Sequence, residues 1–264
     1  MQFHVKKMKT QYSSPIQYQL VNEEEKVEIN INEYLGKKLS FKYLGSIHCV
    51  NCGRETKKSF QNGYCYPCFQ TLAETDMCIM KPELCHFDKG TCRDEEFGKK
   101  HCFIPHVVYL SDTSSIKVGI TREFQKVTRW IDQGANQAVA VWRVQSRKDA
   151  GTVEVFLKDY LGDKTNWRNM LKGLSADEDL DFKRDEILEI LEDADLPGEM
   201  LDEEEVLDIE YPVLQYPEKI KSLNLEKEAL VEGTLEGIKG QYLIFDNGVI
   251  NMRKYAGYLI DWIS

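Results

Sequence analysis

Apolar and polar positions alternate with period two over Val27-Glu28-Ile29-Asn30-Ile31, and again over Lys38-Leu39-Ser40-Phe41-Lys42-Tyr43-Leu44. That period turns every second side chain to one face of a strand, so residues 12–47 are predicted as a β region, punctuated by Gly36 and Gly45. The signature returns late in the chain. Residues 230–238 and Gln241-Tyr242-Leu243-Ile244-Phe245 lead into Asp246-Asn247-Gly248, and Asn-Gly between apolar runs is a strong hairpin signal. Residues 249–253 are the expected returning strand. Each terminal β region is small for a core of its own, which suggests one barrel-like module or two poorly separated sheets.

The period changes in the middle of the chain. His106-Val107-Val108-Tyr109-Leu110 reads as an apolar strand, residues 111–115 as a polar turn, and Ile116-Lys117-Val118-Gly119-Ile120 as a strand returning beside the first. Between residues 122 and 133, Phe124, Val127, Trp130 and Ile131 fall on one helical face, and Gly134 ends the helix. Residues 138–144 give a third strand. Residues 149–161 give a second helix with a stripe of Val153, Phe156, Leu157 and Tyr160, and Glu154 beside that stripe. A further amphipathic helix spans 182–191 and stops at Leu196-Pro197-Gly198. The expected fold class is α+β.

Composition narrows this picture. The chain has 264 residues, four Trp and eleven Phe, enough for one large domain or two to three small ones. No apolar run approaches the roughly twenty residues that span a bilayer. The opening residues Met1-Gln2-Phe3-His4-Val5-Lys6 lack the apolar segment of a secretory signal. Eight cysteines are therefore expected as reduced, metal-bound thiols in the cytoplasm, with no membrane partner. The net charge of -10 argues against nucleic acid until its distribution is read. Residues 99–173 carry thirteen basic against seven acidic side chains, and residues 174–210 two against seventeen. The basic middle suits phosphate. The acidic stretch is either a solvated helix face or a restraint lying on the basic surface.

The strongest chemical motif is the pair Cys49-x-x-Cys52 and Cys65-x-x-Cys68, separated by twelve residues. Two short loops, each giving two sulfurs, can meet face to face around tetrahedral zinc. The polar linker with Gly53, Gly63, Arg54, Lys57 and Lys58 suits a knuckle that folds on its metal. A second group, Cys78, Cys85, Cys92 and Cys102, has looser spacing, with His86, His101 and His106 nearby. Its readings are zinc on four thiolates, zinc on three thiolates with His86 or His106, an iron–sulfur cluster, or four structural cysteines.

The order β-β-α-β-α, with Tyr109 and Gly119 on the first two strands, Arg129 on the first helix and Glu154 on the second, resembles the GIY-YIG endonuclease domain over residues 104–173. The resemblance implies a tyrosine near the attacking water, Arg129 at the scissile phosphate and Glu154 as ligand of one divalent cation, Mg2+ or Mn2+. Asn166 in Lys164-Thr165-Asn166-Trp167 matches a later family asparagine. The first motif is reduced to Val107-Val108-Tyr109. In the second, Lys117-Val118-Gly119, lysine replaces the tyrosine. Lys117 there binds phosphate, lowers the tyrosine pKa, or marks lost chemistry. Most of the chain is also similar to an uncharacterised bacterial family, domain of unknown function 2797. The strings are Cys78-Ile79-Met80-Lys81-Pro82-Glu83-Leu84-Cys85, Gly90-Thr91-Cys92-Arg93, Lys117-Val118-Gly119-Ile120-Thr121-Arg122, Arg129-Trp130-Ile131-Asp132-Gln133-Gly134-Ala135 and Asp163-Lys164-Thr165-Asn166-Trp167.

Each residue also has a plainer role. Tyr109 is a core tyrosine with a satisfied hydroxyl, Arg129 a surface charge, Glu154 a solvated carboxylate, Lys117 an edge-strand gatekeeper, and Trp130 and Trp167 core. The expected organisation is an N-terminal β region at 1–47, a zinc module at 48–103, a GIY-YIG-like domain at 104–173, an acidic helical segment at 174–210 and a C-terminal β region at 211–264. The expected function is a metal-dependent nuclease with structural Zn2+, acting on DNA before RNA. The alternatives are a zinc-dependent nucleic-acid-binding protein on a degenerate scaffold, and a protein-interaction module.

Overall fold

The computed structural model describes residues 1–22 and 26–263 and divides into two compact units. The first comprises Met1–Gln70, Leu171–Gly173 and Glu210–Ser264, the second Thr71–Met170 and Leu174–Ile209. Among the described residues no helix is long and apolar enough to cross a membrane. In chain order come β1 (Gln2–His4), β2 (Lys9–Gln11), β3 (Gln17–Asn22), β4 (Val27–Asn30), β5 (Lys38–Ile47) and α1 (Tyr66–Thr71). Then follow α2 (Met77–Met80), α3 (Glu95–His101), β6 (His106–Asp112), β7 (Ile116–Arg122), α4 (Lys126–Gln133), β8 (Gln137–Val144) and α5 (Arg147–Leu157). The remainder is α6 (Trp167–Leu171), α7 (Leu180–Glu192), β9 (Glu199–Met200), β10 (Leu207–Asp208), β11 (Leu230–Lys239), β12 (Tyr242–Phe245), β13 (Gly248–Asn251) and β14 (Tyr258–Ile263).

In the first unit both terminal β regions share one antiparallel sheet, ordered β1-β14-β5-β11-β12-β13. The alternation of β5 decides its place. Leu39 and Phe41 turn inward while Lys38 and Lys42 face solvent. Phe41 lies opposite Trp262 on one side and Val231 on the other. Its ring stacks on Trp262 with centroids 5.9 Å apart. Burying one such ring contributes about 1.5–3 kcal/mol. The expected hairpin forms with Asp246 and Asn247 as the turn and Phe245 opposite Gly248. Asp246 Oδ1 accepts from the Thr234 amide (3.0 Å), and Asn247 Nδ2 donates to the Glu232 carbonyl (2.8 Å). The returning strand ends at Asn251, where the Asn251 side chain caps a 3-10 turn. Strands β2, β3 and β4 make a separate small sheet.

In the second unit β6 is the central strand, with all seven residues buried. It pairs antiparallel with β7, Tyr109 opposite Gly119, and with β8, Tyr109 opposite Ala140. Strands β9 and β10 pair with β8. Val108, Leu110, Val118, Val139 and Val141 pack with Ala150, Val153 and Leu157 of α5 and Leu180, Ile187 and Leu191 of α7. Strand alternation turns Tyr109 to the opposite face, where its ring meets Trp130 of α4 edge-on at 5.9 Å.

Local signals set the helix ends. Ser146 caps α5, accepting from the Asp149 amide (3.1 Å) and donating to its carboxylate (2.7 Å). Gly134 (φ 74°) closes α4 in the left-handed conformation. Two of the expected helices run past an end that forms, while α7 exceeds its expected span by a residue or two at each end. Residues 123–125 form a 3-10 turn, and Phe124 is 72 % exposed beneath the Arg122 guanidinium. Helix α5 stops at Leu157, leaving Tyr160 exposed. The acidic stretch does lie against basic groups of its own unit. Glu204 pairs with Lys126 (2.6 Å) and Glu199 with Arg143 (3.3 Å).

Candidate functional site

The thiol site of the first unit grows out of the end of β5. His48 bridges to Glu55, the Cys49 amide donates to the Arg54 carbonyl (2.9 Å), and Gly53 (φ 69°) makes the tight turn between them. Phe60 and Tyr64 exchange backbone hydrogen bonds of 2.8 and 2.9 Å, which presents Cys65, and α1 presents Cys68. The sulfurs of Cys49, Cys52, Cys65 and Cys68 all lie within 4.8 Å of one another, and Cys52 Sγ is 3.8 Å from Cys65 Sγ. Zinc–sulfur bonds of about 2.3 Å at tetrahedral angles put ligand sulfurs roughly 3.8 Å apart. The set fits one zinc ion and could hold it as a structural metal.

The electrostatics agree. Burial disfavours the Cys49 thiolate, but backbone amides of Cys52, Cys65 and Asn51 bring its pKa down to about 6. Asn51 Nδ2 donates to Cys68 (3.4 Å), yet burial and the other three thiols push Cys68 up to about 12. Four thiolates at this spacing need a cation to coexist. Arg54, Lys57 and Lys58 are exposed on the linker, and Lys58 lies over the Phe60 ring at 5.2 Å.

The second unit holds a buried polar cluster built on β6, β7 and α4. Tyr109 is fully buried, and its hydroxyl donates to Gln133 Oε1 (2.9 Å). Lys117, 4 % exposed, donates to the same oxygen (2.9 Å). Gly119 makes room for this packing: a Cβ there would stand 2.6 Å from the Tyr109 hydroxyl. Burial raises the Tyr109 pKa, opposed by the nearby Arg129 charge. Burial, with the Arg129 charge, lowers Lys117 to about 8.

Glu154 acts on Tyr109 and Lys117 through its charge, and burial raises its own pKa. Lys158 Nζ lies 3.6 Å from Glu154 and 3.2 Å from Asp163, so two carboxylates share one ammonium. Asn166 does not join the cluster through a hydrogen bond. It is exposed, and its Oδ1 accepts from the Asn169 amide (3.3 Å). His106 is buried and neutral. Its Nδ1 donates to the Ile104 carbonyl (2.7 Å), burial lowers its pKa to about 4, and it enters no convergent ligand group among the described residues.

Sequence reasoning assigned no role to Gln133, the acceptor that joins Tyr109 to Lys117. Its position four residues after Arg129, on the same helical face, was the available signal. Cys78, Cys85, Cys92 and Cys102 line one cavity of about 20 Å³, while Asp76, Cys78 and His86 converge within 4.8 Å.

No curated protein and no solved structure matches the chain. Residues 36–260 match the family model described as protein of unknown function (DUF2797), and the chain belongs to that family.

Proposed function

We propose that the second unit hydrolyses phosphodiester bonds in nucleic acid, DNA before RNA, using a divergent GIY-YIG-type site of Tyr109, Lys117, Arg129, Gln133 and Glu154. The observation that carries this reading is the convergence of Tyr109, Lys117 and Gln133, with Arg129 and Glu154 acting on the tyrosine by charge, in a β-β-α-β-α order. Arg129 and Glu154 are only partly buried and are the groups a phosphate can reach. A divalent cation, Mg2+ or Mn2+, would be held by Glu154 with help from Asp163, and would neutralise charge on the scissile phosphate. The shared ammonium of Lys158 supports this assignment, because a cation already rests between the two carboxylates. Arg129 orients the phosphate. Lys117 and Gln133 hold the tyrosine and tune it.

The assay is the full chain with Mg2+ or Mn2+ on labelled branched, single-stranded and duplex DNA and RNA, beside Glu154→Ala. Cation-dependent cutting should fall about a hundredfold or more in the variant, with binding retained. Cutting that survives the substitution in nuclease-free protein rejects the assignment.

One observation favours a second reading, a zinc-dependent nucleic-acid-binding protein without chemistry. Tyr109 has no exposed surface, and its proton is already committed to Gln133. In that case neither protein cuts. Both bind with an affinity that falls steeply with salt, through basic groups such as Arg54, Lys57 and Lys58. The thiol chemistry of either reading suits a reducing compartment.

A further inference from the structure

We propose that Asp76, Cys78 and His86 hold a second zinc ion, with its fourth position turned to the cavity walled by Cys85, Cys92 and Cys102. One ligand atom from each of the three residues lies within 4.8 Å of the other two. The donors are a carboxylate oxygen, a sulfur and an imidazole nitrogen, all of which zinc accepts. The cavity, which Asp76 and Cys78 also line, measures about 20 Å³. A single water needs about 10–15 Å³, so the space suits one ion.

Two of these side chains are placed as ligands and not as parts of the local fold. Asp76 is the N-cap of α2, where an aspartate ordinarily accepts from the first helix amides, yet its carboxylate makes no capping bond. It turns instead to His86, whose Nε2 stands 3.6 Å from Asp76 Oδ2. That is too long for a hydrogen bond, and close to the roughly 3.3–3.5 Å that separates oxygen and nitrogen ligands around tetrahedral zinc.

Neighbouring groups fix both residues. Thr91 Oγ1 donates to the His86 carbonyl (3.2 Å), so it accepts from His86 Nδ1 (2.8 Å). In the neutral ring the lone pair then sits on Nε2, the nitrogen that faces Asp76. Metal-ligating histidines are commonly oriented in this way through their other nitrogen. Arg93 Nε holds Asp76 Oδ2 (2.7 Å), and Arg93 Nη1 donates to the Leu72 carbonyl (3.1 Å). A carboxylate has about four lone-pair sites, so Asp76 can serve Arg93 and an ion together. Burial, the Asp76 charge and the thiols of Cys85, Cys102 and Cys92 raise Cys78 to about 11. A carboxylate and a thiolate side by side call for a cation.

The other three thiols form the wall. The first quartet brings four sulfurs within 4.8 Å, whereas among the described residues no three sulfurs of the second quartet converge so closely. Cys92 Sγ is turned to the Asp94 carbonyl (3.3 Å), and Cys102 lies in the field of Arg147 and Arg122.

The segment has reason to need an ion. Between residues 71 and 105 the only fully buried apolar side chains are Ala73 and Pro82, while Met77, Met80 and Leu84 are exposed. Short helices and turns without a buried apolar face gain cohesion from a bound metal. The ion would tie α2 to the loop that carries His86, and this segment packs on α5. Arg147 Nη2 donates to the Ile79 carbonyl (2.7 Å), and a Cβ on Gly151 would stand 2.7 Å from Pro82 Cβ. The proposal is independent of the hydrolysis reading, and its test reads metal alone.

The experiment titrates the full chain with zinc against a chelating dye. Wild type should bind a second ion beside that of the first quartet. Asp76→Ala and His86→Ala should each release the second ion and keep the first, and Cys52→Ser should do the reverse. Thr91→Val, which touches no metal, should weaken the second ion about 10–100-fold. Where a variant does not fold, cobalt in wild type decides, because its charge-transfer absorption counts thiolates. The second cobalt should add fewer than four, and four would overturn the proposal. So would a wild type that binds only the ion released by Cys52→Ser, or a second ion indifferent to both Asp76→Ala and His86→Ala.

Discussion

The thiol site of the first unit and the Tyr109 cluster of the second are both convergences of polar side chains, but of opposite kinds. Cys49, Cys52, Cys65 and Cys68 are four like groups that repel when ionised and lack a cation among themselves. Tyr109, Lys117 and Gln133 are complementary, and Gln133 Oε1 satisfies two donors at once. The first arrangement is completed only by a ligand. The second is complete without one, so any chemistry there must begin by exchanging an internal hydrogen bond for one to substrate. A site of the first kind is recognised by its unmet demand, and one of the second kind by unusual cost, here a lysine and a tyrosine buried side by side.

The contrast is broken most sharply by chelation. Structural zinc in small modules binds with an apparent free energy on the order of 10 kcal/mol. Stripping it should open residues 48–70 while the hairpin of β6 and β7 keeps its protection, as read by amide hydrogen exchange on the full chain. Protection of residues 48–70 that survives verified zinc removal would mean that the knuckle folds by packing, like the cluster.

Next comes pH. Lys117 has a folded pKa of about 8, below its ordinary 10.5, so the folded state binds fewer protons than the unfolded state between those values. Stability from this group is present above pH 10.5 and is lost as pH falls through about 8. Across that window wild type should gain on the order of 3 kcal/mol relative to Lys117→Met. Denaturant unfolding at a series of pH values measures the difference. Parallel profiles for the two proteins would place Lys117 in contact with solvent.

Gly119→Ala is a smaller probe of the same cluster. Its Cβ would meet the Tyr109 hydroxyl at 2.6 Å, and both residues sit on paired buried strands that yield little. Overpacking of this kind costs about 1–3 kcal/mol. A thermal melt unchanged by the substitution would mean that the tyrosine ring moves freely, and that its burial is incidental.

How much of this was legible in the chain follows from what each feature needs. The knuckle needs four cysteines at short spacing, and spacing is written in sequence. The β6–β7–α4–β8–α5 order needs only period and Gly134, and both are local. Strand β14 alternates Tyr258, Ile260 and Trp262 inward, but Leu259 and Ile263 on its outer face blur the period, and β1 has too few residues to show one. That β5 joins β11 and β14 across nearly the whole chain is a long-range pairing that no local signal encodes. Helix ends were overextended at Phe124 and Tyr160, where apolar residues at helical spacing stay on the surface. Gln133 was invisible because an amide becomes an acceptor for two donors only when strands and helix are folded together.

The smallest expected change in stability carries the most information about function. Tyr109→Phe removes a hydroxyl whose loss leaves Gln133 Oε1 still bonded to Lys117, so the buried acceptor is not orphaned. The cost should be about 1 kcal/mol, the net worth of one hydrogen bond, read as a small drop in the unfolding midpoint. Gln133→Leu is the harsher counterpart. It strands the hydroxyl and the ammonium together and should cost several-fold more. If the phenol serves only to fill and satisfy the core, the phenylalanine variant keeps whatever cation-dependent cutting the wild type has. If the phenol orders the attacking water or steadies Arg129, cutting falls by about a hundredfold or more while stability barely moves. A large loss of stability in Tyr109→Phe would contradict both expectations, and would mean that the hydroxyl anchors the sheet to α4 more strongly than one shared acceptor explains.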